Sequence, residues 1–442
     1  MNLTMRLKLS MLDGIRHSRV MRGLAAWMCL ARAWASPDVA RCGALLTRAL
    51  ELSDSFRVLD GANALLARRA PVGDVMLWSK VVSSQPRYAR ALREDKTLSR
   101  SIVLKAPGAG GEKGVLLMTF EYNWARLLLG IPDEEFHWID EEYDLVFSAS
   151  WSATDYAVLA LAASKVRGTV FVQSCNYEEV ARIERFHPRL KCLPTLPCDW
   201  INPVLYQPKP FADRTKDIVM VANWGEFKRH WDLFRALAQL PPGLKVVLIG
   251  QKEGGRDKEF IRRLAREFGA RQELEIHESI PIHAVAAHQC DAKVSVIMSR
   301  REGCCVAAVE SLFAGCALAM RADAHVGPLA YINEQTGARL RPGRIAEDLS
   351  SLLGRAGQLH PREWAVKNLA CHVSHAKVNA VLRDETLRAG RPWTRDIVLP
   401  QWRPHPTFAS RDEQEAMRPA YDELHAKWPH VFSPDLWSES WR

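Results

Sequence analysis

The sequence contains no run of 18 apolar residues, the length at which a segment becomes a candidate for crossing a membrane. Its ten cysteines show no spacing typical of a zinc site or a redox motif, which favours reduced thiols in the cytosol. No Asp-x-Asp pair follows a predicted strand and the histidines show no ligand spacing, so neither a metal nor a cofactor is predicted. Because no module for reading nucleic acid is recognisable, nucleic acid is not expected as a partner.

What the chain does contain is enough length for two α/β domains and additional elements, with 442 residues of which 48% are hydrophobic. Its formal net charge is +9, which suits a phosphate-bearing ligand, an anionic substrate or an anionic membrane surface. Before residue 50 the basic residues outnumber the acids Asp13 and Asp38; they are Arg6, Lys8, Arg16, Arg19, Arg22, Arg32, Arg41 and Arg48. This distribution predicts a basic N-terminal region.

The pattern of apolar residues divides the chain into four parts. Residues 1–100 predict a helical extension, in which Ser36-Pro37-Asp38 begins a helix with Pro37 at its first position. Residues 101–207 and 208–360 alternate strands with helices, which predicts two Rossmann-like domains. The glycine-rich segment 107–114 is interpreted as a hairpin or turn, because it lacks the pattern of a phosphate loop. Residues 361–442 predict a helix and an irregular, tryptophan-rich tail returning to the first domain.

The segment from Ser299 to Met320 carries the strongest chemical signal. Glu302 follows an apolar run typical of a buried strand, and Glu310 lies seven residues further within a run typical of a helix. The carboxyl ends of such strands are where open α/β sheets bind ligands. The N–H groups of Gly303, Cys304 and Cys305 are predicted to open this helix and to suit a phosphate. Eight helical residues rise about 12 Å, which suits a sugar at one glutamate and a ribose at the other.

This segment resembles the donor-binding signature of retaining, family 4 type glycosyltransferases, also described as glycosyl transferases group 1. The matching residues are Ser299, Glu302, Gly303, Glu310, Ala314, Gly315 and the run Ala317–Met320. The resemblance implies a GT-B architecture, with two Rossmann-like domains facing a cleft. It also implies that Glu302 contacts sugar hydroxyls, that Glu310 contacts the ribose hydroxyls, and that Gly250 lies near the base or the diphosphate.

Two cations, Lys228 and Arg229, follow the first strand of the second domain and could offset the charge of a diphosphate leaving group. The resemblance favours Lys228 as the basic residue that the family carries in this loop. Arg301 either contacts the acceptor or holds Glu302 by an ion pair. On the acceptor side, Glu121 and Asn123 are candidates in a predicted loop after the strand 115–119.

The resemblance therefore predicts a metal-independent, retaining hexosyltransferase that uses a UDP- or GDP-sugar and a glycan, lipid-linked or other hydroxyl acceptor. Catalysis would involve Glu302, Lys228 and Arg229. We expect a cytoplasmic protein, peripheral to the inner membrane if its basic extension meets an anionic surface. Two alternatives stay open: an epimerase or phosphorylase-like enzyme on the same scaffold, and a non-catalytic protein that binds nucleotide sugars.

Overall fold

The computed structural model describes residues 3–92, 101–402 and 406–433. The chain divides into two compact units, the first formed by Met1–Pro197 with His375–Arg442 and the second by Cys198–Ser374. Residues 198–207 and 361–374 therefore belong to the second unit, whereas the sequence analysis assigned them to the neighbouring parts.

The first unit begins with helices, as predicted for the extension. They are α1 (Leu3–His17), α2 (Arg19–Ala35), α3 (Val39–Leu52), α4 (Phe56–Arg69), α5 (Val75–Ser83) and α6 (Pro86–Ala91). The prediction that Pro37 is the first helical residue is wrong, because Asp38 caps α3. The Asp38 side chain accepts hydrogen bonds from the N–H groups of Ala40 and Arg41, which leaves the proline outside the helix.

The sheet of the first unit has its five strands in sequential order. They are β1 (Ser101–Lys105), β2 (Gly114–Thr119), β3 (Tyr143–Ser148), β4 (Val170–Gln173) and β5 (Leu190–Cys192). The parallel strands β2 to β5 are joined by α7 (Glu121–Gly130), α8 (Asp133–Glu142), α9 (Tyr156–Lys165) and α10 (Tyr177–Phe186). Because β1 pairs antiparallel with β2, the hairpin interpretation of the glycine-rich segment is confirmed.

The second unit has a six-stranded parallel sheet wound in both directions from its centre. The elements are β6 (Lys216–Val221), α11 (His230–Leu237), β7 (Val246–Gly250), α12 (Lys258–Glu267), β8 (Leu274–Glu278), α13 (Ile282–Cys290), β9 (Ala292–Ile297), α14 (Val306–Phe313), β10 (Ala317–Arg321), β11 (Gly337–Leu340), α15 (Ile345–Arg355) and α16 (Pro361–Leu369). The order across the sheet is β11-β10-β9-β6-β7-β8, so the winding reverses between β6 and β9. Two Rossmann-like α/β units and a helical N-terminal extension confirm the predicted fold class.

A predicted helix near residues 326–333 is instead a short 3₁₀ segment, Gly327–Tyr331. Pro328 lies in the first turn of that segment, where a proline is tolerated. In the part of the chain that the structure describes, no helix is long and apolar enough to span a membrane.

The C-terminal segment is more regular than its sequence suggested. After α17 (Cys371–Arg388) come a small hairpin of β12 (Pro400–Trp402) and β13 (Pro406–Phe408) and the 17-residue helix α18 (Arg411–Lys427). The expectation of an irregular tail is therefore wrong for these residues. Buried residues recur every three or four positions along α18, which gives the helix one buried face. Trp437 and Trp441 lie outside the described residues.

Candidate functional site

The winding of the second unit's sheet reverses between β6 and β9. In open α/β sheets, ligands bind at the carboxyl ends of the strands at such a point. The loops that leave the carboxyl ends of these two strands run to opposite faces of the sheet and leave a crevice between them. The loop after β6 contains Lys228, and the loop after β9 contains Glu302. Two of the three predicted catalytic residues are thus brought to the topological switch point of one sheet.

Lys228 and Glu302 form a buried ion pair at this point, with 2.7 Å between the lysine Nζ and the glutamate Oε1. Their side chains are 15% and 5% exposed. Burial by itself would lower the pKa of Lys228, but the Glu302 carboxylate more than offsets it, so the pKa lies above its ordinary value. The lysine is therefore a fixed cation that is held in place by one carboxylate oxygen.

Several buried polar atoms around this pair have no hydrogen-bond partner within the protein. They are Oε2 of Glu302, Oγ of Ser299 and Nε2 of His230. Each of these residues is less than 5% exposed, so leaving such an atom unsatisfied costs about 1–3 kcal/mol. Buried groups of this kind are usually paired, and their concentration at a switch point is typical of a site that completes its hydrogen bonds with a ligand.

A cavity of about 240 Å³ opens beside the lysine. Its wall consists of the ends of β6 and β7 and the start of α13; the lining residues are Val221, Ala222, Asn223, Lys228, Ile249, Gly250, Gln251, Ser279, Ile280 and Val285. A Cβ atom at Gly250 would come within 2.3 Å of the Ala222 carbonyl oxygen and 2.7 Å of the Trp224 ring. Glycine is therefore required by close packing of two strand ends, and this packing shapes the cavity.

Glu310, the second predicted donor-binding glutamate, is partly buried on α14. Burial raises the pKa of Glu310 to about 7, although a hydrogen bond with the side chain of Tyr206 acts in the opposite direction. Tyr206 is itself buried, and its ring stacks on Phe313 with 6.5 Å between centroids. This carboxylate is thus oriented by a tyrosine and changes its charge close to neutral pH.

The start of α14 differs from the prediction. The helix begins at Val306 with Cys305 as its N-cap, so Gly303 and Cys304 precede it and do not open it. The chain turns into the helix through a left-handed conformation at Cys305 with φ of 40°. Glu302 is therefore outside the helix, and the rise of eight helical residues does not set its separation from Glu310. Burial and the Glu302 carboxylate raise the pKa of the Cys305 thiol, which keeps it neutral.

The two predicted arginines near this pair differ in their contacts. Arg229 is buried, and its Nη2 lies 3.0 Å from Oδ2 of Asp232. Asp232 also pairs with Arg321, which binds Asp323 in turn. Burial lowers the pKa of Arg229 to about 10. Arg301 is partly buried and forms an isolated parallel bridge with His325 through the backbone.

The acceptor-side candidates Glu121 and Asn123 lie in the first unit, in the first turn of α7 rather than in a loop. The chain turns at Phe120, whose φ is 68°, so that the helix follows β2 directly. Glu121 accepts hydrogen bonds from the N–H groups of Ser150 and Trp151 after β3. Burial raises its pKa. Asn123 donates to the Thr119 carbonyl oxygen, and its buried Oδ1 has no partner.

Two residues near the site were not selected from the sequence. His230 directly follows the two cations, and burial lowers its pKa to about 3, so its ring is neutral. Its position two residues after Lys228 in the sequence is the signal that could have identified it. Tyr206 lies beside the predicted boundary between the two Rossmann-like domains, and no local pattern links it to Glu310.

Residues 205–355 match the family model described as Glycosyl transferases group 1. The match contains β6 to α15 and all of the donor-side residues described above. The match covers about a third of the chain, and it confirms for this segment the resemblance to glycosyl transferases group 1. A comparison with curated proteins found no match.

Several solved structures resemble the chain at low identity. Sucrose-phosphate synthase from Thermosynechococcus elongatus is 17% identical, with 62% of this chain and 74% of that chain covered and a TM-score of 0.49. TarM is 12% identical, with 61% of this chain covered and a TM-score of 0.48; the match spans about half of TarM, 54%. Anabaena Alr3699/HepE in complex with UDP and glucose is 14% identical, with 74% and 88% covered and a TM-score of 0.43. None of these similarities is close enough to carry a substrate to this chain.

Proposed function

We propose that the protein is a retaining, metal-independent glycosyltransferase that takes its sugar from a nucleoside diphosphate. The observation that carries this proposal is the buried Lys228–Glu302 pair at the switch point, with Oε2 of Glu302 left without a partner. A cation paired through one carboxylate oxygen can face a phosphate, while the other oxygen accepts a hydrogen bond from a sugar hydroxyl. The Lys228–Glu302 pair can thus contact both the phosphate and the sugar, the two groups that are joined by the bond to be broken.

The cavity beside Lys228 gives the donor its orientation. Ile280 and Val285 supply apolar wall for a nucleobase, and Gln251 supplies polar groups at its edge. Gly250 lies in the wall of this cavity, where it packs closely against Ala222 and Trp224. The diphosphate would then reach Lys228, and the sugar would lie at Glu302.

In this arrangement the bond between the sugar C1 and the phosphate oxygen breaks, and the acceptor hydroxyl oxygen forms the new bond to C1. The hydroxyl proton passes to the departing phosphate, and the nucleoside diphosphate leaves. Lys228 stabilises the charge that grows on the leaving phosphate, which is the electrostatic part of catalysis. Arg229 would support this charge from its position beside Asp232. The amide groups in the first turn of α14, which begins at Val306, would add positive potential.

The acceptor is a hydroxyl compound of the glycan or lipid-linked class. Glu121 and Asn123, at the carboxyl end of β2, are proposed to contact it in the first unit. The buried Oδ1 of Asn123 has no hydrogen-bond partner within the protein.

The proposal is tested by incubating the protein with a panel of UDP- and GDP-sugars and measuring released nucleotide, with and without glycan acceptors. A transferase releases nucleoside diphosphate, and the product shows the anomeric configuration of the donor by NMR. Conversion of the donor without nucleotide release would indicate an epimerase instead. Binding of the nucleotide without any turnover would favour a non-catalytic binding protein.

Replacing Glu310 with glutamine is expected to weaken donor binding by roughly 2–3 kcal/mol, through loss of charge-assisted hydrogen bonds to the ribose. Since burial raises the pKa of Glu310 to about 7, the wild-type affinity for donor should fall as the pH drops below neutrality. Tyr206→Phe should move this transition to higher pH, because it removes the hydrogen bond that lowers the pKa. Isothermal titration of the nucleoside diphosphate from pH 6 to 8 measures both effects.

The same carboxylate gives a control on folding. A group whose folded pKa is raised above its unfolded value destabilises the protein once the pH exceeds the unfolded pKa. Glu310→Gln should therefore be at least as stable as the wild type at pH 8. Unchanged donor affinity in a stable variant would remove Glu310 from the ribose site.

The N-terminal helices carry a surface that suits an anionic membrane. On α2, apolar side chains that are spaced for one helical face are exposed to solvent; they are Val20, Leu24, Trp27, Met28 and Trp34. Trp27 is 52% and Trp34 71% exposed. Arg16, Arg19 and Arg32 are exposed near this face. Exposed tryptophans beside arginines are typical of helices that lie in the interface of anionic bilayers.

We expect the protein to float with anionic vesicles at low salt and to dissociate as salt rises, since each basic residue near the surface contributes roughly 1 kcal/mol. A Trp27→Ser/Trp34→Ser variant should lose binding while keeping its thermal stability, because both side chains are exposed. Phe56→Ser, which alters an exposed aromatic on α4, is the matched control. Absence of flotation at low salt would exclude a peripheral membrane location through this face.

A further inference from the structure

We propose that Glu275, His277 and His288 form a binding site for a zinc-class transition-metal ion, separate from the donor site. Glu275 and His277 are two residues apart on β8, so their side chains share one face of the strand. His288 is supplied by α13, the helix that follows this strand. Because β8 is the last strand on its side of the sheet, an ion at this position would join an edge strand to a helix.

The ligand atoms converge closely enough for one ion. Nε2 of His277 lies 2.7 Å and Nδ1 of His288 lies 3.9 Å from Oε1 of Glu275. The three residues each offer a ligand atom within 4.8 Å of the other two. The two imidazole centroids are 4.4 Å apart. Zinc bonds of about 2.0–2.2 Å place tetrahedral ligands about 3.3 Å from each other. The two distances to Oε1 of Glu275 each differ from this value by about 0.6 Å, so small side-chain adjustments would complete a three-ligand site with an open fourth position.

The chemistry of the three groups also fits such an ion. Two imidazoles and one carboxylate are ligands of zinc sites, and neutral imidazole is the form that binds. All three side chains are between 23% and 37% exposed, which gives an ion access from solvent.

Lys216 affects the proposed metal site in two opposite ways. Nζ of Lys216 pairs with the other carboxylate oxygen, Oε2 of Glu275, and leaves Oε1 for the ion. The ammonium orients the carboxylate, as a hydrogen-bond donor behind a metal ligand does. Its positive charge also opposes a cation nearby, so the lysine should weaken the site that it orients.

The site lies one helical turn from the donor cavity on the same helix. Val285 of α13 lines the cavity, and His288 is three residues further along the helix. The ligands are not part of the cavity lining, so metal binding and donor binding can be measured independently.

The experiment uses the full chain without a histidine tag, first treated with a chelator and then titrated with Zn²⁺ by calorimetry and with Co²⁺ by visible absorption. We expect one ion per chain and the intense absorption of tetrahedral Co²⁺. His277→Gln and His288→Gln should each weaken binding at least tenfold, and Lys216→Met should strengthen it. His283→Gln changes an exposed histidine on the same helix and should leave binding unchanged.

Thermal unfolding provides a second readout, because an ion that binds only the folded state raises Tm. This increase should be lost in His288→Gln and kept in His283→Gln. Absence of one-to-one binding would overturn the proposal, as would equal affinities of the His277, His288 and His283 variants.

Discussion

Replacing Lys228 with methionine is expected to lower kcat for sugar transfer by about 10²–10³-fold. Lys228 is the buried cation at the switch point and is held 2.7 Å from Glu302. A preorganised charge at the leaving group acts mainly in the transition state, so its loss affects kcat more than donor binding. Steady-state kinetics with the donor identified from the nucleotide-sugar panel measures this loss.

The matched control is Lys258→Met, which removes an exposed lysine from α12 of the same unit. Because Lys228→Met also leaves the buried Glu302 without its cation, a stability loss of about 3–5 kcal/mol is expected. The double variant Lys228→Met/Glu302→Gln should recover much of that stability and no activity. If the double variant were stable and the single variant kept full kcat, Lys228 would have no role at the diphosphate.

The second large effect is predicted for folding of the first unit. Lys105 on β1 and Glu112 in the following turn form an ion pair whose side chains are each 2% exposed. Thr394, nearly 300 residues later in the sequence, donates its N–H and hydroxyl to the same carboxylate. Lys105 also lies 3.5 Å from the centroid of the Trp393 ring. The pair thus fastens the C-terminal segment to the first strand.

Glu112→Gln leaves Lys105 buried without a counter-ion and should destabilise this unit by about 3–5 kcal/mol. That corresponds to a decrease in Tm of roughly 10 °C. Asp60→Asn breaks an exposed ion pair with Arg185 in the same unit and should cost less than about 1 kcal/mol. Calorimetry of the three proteins compares the effects, and equal Tm values would show that the buried pair does not hold the tail.

The pH dependence of the Tm difference between the wild type and Glu112→Gln follows from the pKa of the Glu112 carboxyl group. Burial alone would raise the pKa of Glu112, but the hydrogen bonds from Lys105 and Thr394 lower it to about 2. A depressed folded pKa contributes stability above the unfolded value, near 4.5, and loses it as the pH falls toward 2. The Tm difference between wild type and Glu112→Gln should therefore narrow as the pH falls below about 4.5.

Local sequence signals predicted most elements of the second unit to within a few residues. Its strands are short apolar runs with helices between them. The spacing of apolar residues and the length of an apolar run depend only on residues that are neighbours in the sequence. The same signals failed where the geometry of a junction decides the outcome. Glu121–Asn123 was expected to be a loop, yet Phe120 adopts a left-handed conformation and α7 begins at once. At α14, a similar conformation at Cys305 delays the helix to Val306.

The sequence by itself determined the α/β class, the alternation that builds two Rossmann-like units, and the candidate residues Lys228, Glu302 and Glu310. Only the tertiary structure decided which of them meet. Lys228 and Glu302 are 74 residues apart and become an ion pair because β6 and β9 are neighbours at the point where the winding reverses. Likewise, the histidines with no ligand spacing along the chain come together through the packing of α13 near β8. Strand order and helix packing arise from contacts between distant segments, so no local pattern records them.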